Sequence, residues 1–447
     1  MKPQNLSLLS LSKPVKICPN CGRSHLSKSG TINLSADVSA AVRSVAGSVK
    51  RRQFLTGIAA ASTVGMLSNC SPSPDPESGE NLSAKKLEKN RLKIAFLPIT
   101  CATPILISQS LGLYQKYGLD VELVRMNSWN QVQESAIVGN LDAYHMLSPM
   151  PIAISLGLQG RPFPIKLACI ENINGNAITV ANKHRDNVKG PADFKGFRIA
   201  IPFIYSMHNL LLRYYLAAGK VNPDRDVELV VLPPPDMVNK LGTGEIDAMI
   251  VAEPFNQLAV ARGVGFIHLL TRELWPGHPC CSFATSRDWI DRYPNTFRAL
   301  NKVIIEGSSY ARLAQNRRDV ARRLSESKYL NVGDDILQDI MIGNFVDGAG
   351  QTQEVPDRID FDPYPWKSFS YWITSQFERW GYLPLGQTNH EAIADDIFMT
   401  GLARQMAKQL GHQPPTIILR YEDLKFDRFD PSEPENYALQ QIEKYGF

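Results

Sequence analysis

The sequence predicts an α/β protein of two lobes, each a mostly parallel sheet flanked by helices, and three observations predict it. First, three fragments recur in order: Lys93-Ile94-Ala95 with Arg198-Ile199-Ala200, Asp120-Val121-Glu122-Leu123-Val124 with Asp226-Val227-Glu228-Leu229-Val230, and Gly139-Asn140-Leu141-Asp142-Ala143 with Gly244-Glu245-Ile246-Asp247-Ala248. Their displacements are 105, 106 and 105 residues, and collinear matches at one period indicate two copies of a supersecondary unit. Second, within each copy short apolar runs alternate with helical stretches, which is the pattern of βαβ units. Third, residues 70–447 are enough chain for two or three packed units.

In the first copy, Leu92 to Leu97 is an apolar strand, and Thr103-Pro104 supplies an N-cap and a first-turn proline for a helix running towards Tyr117, with Gly118 as its stop. Asp120 to Val124 is the second strand, a helix covers Gln131 to Val138, and Ala143 to Leu147 is the third strand. The second copy repeats this with a strand at Phe197 to Ile201, a helix from about Ser206 to Ala218, a strand at Val227 to Leu232, a helix at Met237 to Leu241 and a strand at Met249 to Val251. Beyond about residue 283 the pattern becomes helical and amphipathic, packing back on the lobes. The expected divisions are a leader at 1–69, a tether at 70–90, lobe 1 at 91–177, lobe 2 at 178–279, a return to lobe 1 with helices at 280–419, and a polar outer strap at 420–447.

The leader addresses the chain. Lys50-Arg51-Arg52-Gln53-Phe54-Leu55, a short uncharged run and Cys70 resemble a twin-arginine export signal ending in a lipid-attachment cysteine, although Asn69 stands where Gly, Ala or Ser is usual. Acyl chains on Cys70 would hold the folded part at the outer face of a membrane, with the Ser- and Pro-rich stretch behind it as tether. The uncharged run is too short for a membrane span. Cys18 and Cys21 have half of a zinc-ribbon spacing and no second pair.

Residues 1–69 carry nine Lys or Arg and one acidic residue, so of the overall charge of +4 the remainder holds −4. The basic balance belongs to the leader, which leaves no basic face for nucleic acid. No phosphate-cradling glycine loop, GxSxG elbow or HExxH helix occurs in residues 70–447, so enzymatic functions start weak. Open α/β sheets bind ligands beyond the carboxyl ends of their strands, and helix N-termini there suit an anion. Trp129 follows the second strand, His208 lies at a helix start after Ser206, and Asn176 lies where the chain would cross between lobes. Glu253 ends a strand before Pro254, and if buried it needs a partner. Cys280-Cys281, with Cys101 and His208, would offer soft-metal ligands if all four converged, against the plainer expectation that buried free cysteine is a small apolar filler.

From about Arg91 to Lys444 the chain resembles the nitrate- and bicarbonate-binding lipoproteins of ABC importers. The likeness rests on Ser128-Trp129, Ala143 to Pro151, Asn174-Gly175, His208, Arg213 to Gly219, Pro233-Pro234 with Met237-Val238, Glu253-Pro254, Leu274-Trp275 with His278-Pro279, Arg379 to Pro384 and Phe429-Asp430-Pro431. The resemblance implies a two-lobed periplasmic binding protein of the second type, not an enzyme, that captures a small anionic solute of the nitrate, nitrite, cyanate or bicarbonate class and hands it to ABC permease subunits. It places Trp129, Asn176, His208, Pro234, Val251, Glu253 and Cys281 at the ligand, needs no metal or cofactor, and brings in calcium only if the solute is bicarbonate. Two departures stand out: the pocket amide is Asn176 where a glutamine is usual, and Cys281 stands where the nitrate binders carry a lysine. The alternatives are a soft-metal receptor using Cys and His ligands, or an enzyme like the pyrimidine-precursor synthases on the same fold.

Overall fold

The computed structural model describes residues 86–447. Arg51 and Arg52 of the expected signal, the expected anchor Cys70, and Cys18 and Cys21 lie outside the described residues.

The first copy of the repeat forms β1 (Arg91–Phe96), β2 (Asp120–Arg125) and β3 (Ala143–Leu147), followed by β4 (Ile165–Asn174). The second forms β5 (Asn176–Ala181), β6 (Arg198–Ile201), β7 (Glu228–Val231), β8 (Ala248–Ala252) and β9 (Gly265–Leu270). The chain then returns through β10 (Pro279–Ser286), a hairpin of β11 (Asn344–Val346) and β12 (Thr352–Glu354), and β13 (Ile359–Asp360). One sheet has the order β13-β4-β10-β3-β1-β2 and the other β7-β6-β8-β5-β9.

In both sheets the repeated trio is parallel: β1 pairs with β2 and β3, and β6 pairs with β7 and β8. The remaining pairings are antiparallel, so the sheets are mixed: β5, β10 and β13 run against the trios, while β4 and β9 run with them. The reason is connectivity. Strands β4 and β9 follow the trios through the helices Pro149–Ser155 and Phe255–Ala261, whereas β5 and β10 enter from the other lobe without a helical crossover, and only such a crossover returns a chain parallel to itself. The repeated elements otherwise fall close to where the pattern puts them, with two differences in one helix: its N-cap is Ala102 and not Thr103, and instead of running towards Tyr117 it ends at Ser110, a short second turn, Leu113–Lys116, starting after Gly112 at φ +70°.

Two crossings join the lobes, Asn174-Gly175 and the stretch Thr271 to His278, and they are laced together. Asn174 N–H donates to His278 O at 3.0 Å, and Gly277 N–H donates to Asn174 Oδ1 at 2.8 Å. The positive φ of Asn174 and Gly175 (61° and 85°) reverses the chain here, and a side chain on Gly175 would meet Asn172 Nδ2 at 2.9 Å. The helix Lys367–Arg379 and Tyr382 reach over to lobe 2, where Asn209 Nδ2 donates to Tyr382 OH at 3.1 Å and Tyr205 packs edge-on against Phe377 and Tyr382. The closing helix Pro434–Tyr445 lies on this region through Gln441 Oε1, which accepts from Arg379 at 3.2 Å. Behind lobe 1, the helix Pro294–Arg312 packs on Thr103–Ser110 so closely that a Cβ on Gly307 would lie 2.6 Å from Pro104 O.

Candidate functional site

The carboxyl ends of the parallel trios meet at the crossings, and a set of fully buried polar side chains collects there. Trp129 opens the helix Trp129–Val138, whose N-cap Ser128 Oγ accepts from Gln131 N–H at 3.4 Å. Its indole is 1 % exposed, packs edge-on against His145 at 5.0 Å, and its Nε1–H has no partner. His208 is the second residue of the helix Met207–Ala218, capped by Ser206 Oγ, and neither ring nitrogen has a partner although the residue is 1 % exposed. Asn176 opens β5 beside the crossing; its Oδ1 lies 3.3 Å from Cys280 Sγ, and its Nδ2 has no partner.

Sulfur is the second component. Cys101, in the turn after β1, lies 3.7 Å from Cys280, and Cys280 lies 3.6 Å from Cys281, sulfur to sulfur. Neighbours on a regular strand point to opposite faces. Here the β4–β10 register slips between Pro279 and Cys281 and again before Ser282, and this bulge turns both thiols to one side.

The remaining expected residues divide. Val251 is buried in β8, where its carbonyl accepts from Asn256 Nδ2 at 2.8 Å, and Pro234 is the buried first residue of the helix Pro234–Thr243. Glu253 does not offer a free carboxylate: Arg358 binds its Oε1 and Gln257 N–H donates to its Oε2 at 3.2 Å, while its carbonyl accepts from Thr100 N–H at 2.9 Å and so ties the Cys101 turn to lobe 2. Glu253 is thus a structural ion pair at the joint rather than a solute ligand.

Three buried groups escaped the sequence reasoning. His145 accepts from Leu97 N–H through Nδ1 at 3.4 Å and turns Nε2 towards Glu171, 3.5 Å away. Ser148 has an unpartnered hydroxyl. His278 Nε2 meets Thr271 Oγ1 at 2.9 Å; because the Thr271 hydroxyl gives its single proton to Asn176 O at 3.0 Å, His278 must donate from Nε2, leaving Nδ1 a bare lone pair. The available signal was Glu171 itself, the one acidic residue of β4.

With the geometry in place, comparison with known proteins places the chain. The profile of the NMT1-like family matches residues 85–325. The chain belongs to the NMT1-like family. It is 33% identical over 432 residues to the nitrate/nitrite binding protein NrtA of Nostoc sp. strain PCC 7120, covering 87% of this chain and 97% of that one. To the bicarbonate-binding protein CmpA of Synechococcus sp. strain PCC 6301 it is 28% identical over 401 residues, covering 80% and 88%. To the nitrate import ATP-binding protein NrtC of Synechocystis sp. strain PCC 6803 it is 32% identical over 323 residues, 68% of this chain and 48% of that one. The crystal structure of the periplasmic nitrate-binding protein NrtA from Synechocystis PCC 6803 superposes with a TM-score of 0.77 at 30% identity, covering 80% of this chain and all of that one.

In this NMT1-like chain the site's electrostatics are set by burial. Burial lowers the His145 pKa to about 3 and that of His278 to about 4, and it lowers His208 as well. Burial, with the charge of Cys280, raises Glu171 well above the carboxylate range. Near neutral pH the imidazoles are therefore uncharged. Burial also opposes ionisation of Cys280, but hydrogen bonds from Cys101 and Cys281 outweigh it and hold its thiol below the ordinary value. Burial keeps the other two thiols protonated. No lysine or arginine belongs to this set; the buried Arg358 at its margin is neutralised by Glu253.

Proposed function

We propose that the protein is the extracytoplasmic solute-binding component of an ABC importer and encloses a small oxyanion-like solute, of the nitrate, nitrite, cyanate or bicarbonate class, between its lobes. One observation carries this: Trp129 Nε1, Asn176 Nδ2 and His208 are buried hydrogen-bonding groups without partners at the meeting of two lobes. Buried polar groups are normally satisfied, so an unpartnered set at a cleft marks the place of a ligand. The matches to proteins named for binding nitrate, nitrite and bicarbonate support the same class, and the shared region in a nitrate import ATP-binding protein supports ABC partners. Export by the Arg51-Arg52 signal, anchoring through Cys70 and delivery to permease subunits complete the proposal. No resident cofactor is required, and calcium enters only with bicarbonate.

Each neutral donor contributes about 0.5–1.5 kcal/mol, and more when it faces an ion. Melting temperature measured against nitrate, nitrite, cyanate, and bicarbonate with and without calcium tests the proposal, since a ligand at a hundred times its Kd adds about 2.7 kcal/mol to the folded state. One solute is expected to raise it, and His208→Ala to abolish the rise. An unchanged rise in His208→Ala removes that residue's role; no rise with any of the four defeats the proposal.

A further inference from the structure

The cleft holds chemistry that an oxyanion does not use. Among the described residues, Cys101, Cys280 and Cys281 form the one group of metal-ligating atoms within 4.8 Å of one another, all three free thiols and 0 % exposed. Space-filling alone does not account for them, because adjacent cysteines on a regular strand cannot share a side. The bulge in β10 that brings Cys280 and Cys281 together interrupts the ladder with β4. A cation bound to sulfur at about 2.3 Å in tetrahedral geometry holds its sulfurs about 3.8 Å apart. The observed separations are 3.7 Å and 3.6 Å, so the thiols stand close to a coordinating arrangement.

An independent observation comes from the opposite lobe. All three sulfurs belong to lobe 1, whereas His208 stands at the start of a lobe 2 helix, buried, with both ring nitrogens unpartnered. Thiolate sulfur selects soft cations, and three cysteines with one imidazole form a standard closed coordination set. We propose that Cys101, Cys280 and Cys281 bind one soft metal cation, cuprous or zinc; His208 lies outside their 4.8 Å group and would join as a fourth ligand only by a shift of lobe 2. Each thiol that coordinates gives its proton to the buffer. This inference rests on the receptor proposal for its entry route, because the sulfurs are sealed unless the lobes part, and it adds a second ligand class to the same cleft.

The test uses the reduced full chain under anaerobic conditions, titrated separately with zinc and with cuprous ion against a chromophoric chelator, beside the anion panel. Cys18, Cys21 and Cys70 are replaced by Ser in a control chain so that they do not compete. One equivalent of metal is expected in this control, which keeps Cys101, Cys169, Cys280 and Cys281, with the three cleft thiols becoming resistant to alkylation and Cys169 unchanged. Cys280→Ser in the control background is expected to weaken binding by more than about a hundredfold, since outer-sphere changes alone cost ten- to a hundredfold. If Cys280→Ser does not fold, the alkylation pattern of the control chain decides, and cleft thiols that stay reactive with metal present overturn the proposal. Metal binding insensitive to Cys280→Ser also overturns it, as does no binding by the control chain. An anion-induced melting shift without metal binding defeats this inference and leaves the receptor proposal standing; metal binding without any anion shift does the reverse for the anion class.

Discussion

Replacing Arg358 with Met tests whether the joint between the lobes depends on a buried ion pair. Arg358 is 1 % exposed and Glu253 0 % exposed. The guanidinium binds Glu253 Oε1 and donates at 3.0 Å to both Gln257 Oε1 and Asn344 O, while the carboxylate's other oxygen has only the Gln257 N–H at 3.2 Å. Arg358→Met therefore leaves a carboxylate in a dry site with one donor, and Glu253→Gln leaves a guanidinium there facing only neutral amide and backbone oxygens. Breaking a fully buried pair from one side costs about 3–5 kcal/mol, whereas removing both charges is often close to neutral. Equilibrium urea denaturation should show each single variant destabilised by that amount and the double variant Glu253→Gln with Arg358→Met less destabilised than the worse single one. Single variants within about 1 kcal/mol of the parent, or a double variant equal to the sum of the singles, would refute the idea that the two charges depend on each other.

Two further outcomes follow from the packing. Burial holds the His268 pKa at about 4, below its ordinary 6.5, and its Nε2 lies 2.7 Å from Tyr215 OH, so its contribution is complete above pH 6.5 and lost as pH falls towards 4. At pH 5 the loss is about 2 kcal/mol; a melting curve measured from pH 7 to 5 should fall, and fall less in His268→Gln, which keeps an acceptor but does not titrate. Gly307→Ala places a methyl 2.6 Å from Pro104 O, so the two helices behind Cys101 must separate, with an expected loss of about 1–3 kcal/mol in the same denaturation assay; no loss would mean that the helices are not in rigid contact.

The repeat made the parallel trios legible, because each strand is an apolar run bounded by turn residues: β3 occupies Ala143–Leu147 as read. The crossing strands were hidden because they lie outside the repeat, and nothing in β4 or β10 states that they run against their neighbours. Trp129, Asn176 and His208 stood out through their places at strand ends and helix starts. The sulfur cluster depended on a bulge, a feature of pairing that the residues of β10 alone do not announce. Glu253 was legible as a carboxylate in need of a partner, but Arg358 is 105 positions away and only the fold brings it close.

The lacing of the two crossings has a dynamic consequence. With Asn174-Gly175 bonded to Gly277-His278, the axis about which the lobes can rotate passes beside Asn176 and Cys280. Displacement during rotation grows with distance from the axis, so these two residues shift little, while His208 moves with lobe 2. Rotation would thus keep Asn176 and Cys280 together. A solute would meet Asn176 and the lobe 1 residues first and His208 last, and would lose them in the opposite order, so arrival and release share one sequence of contacts run in two directions.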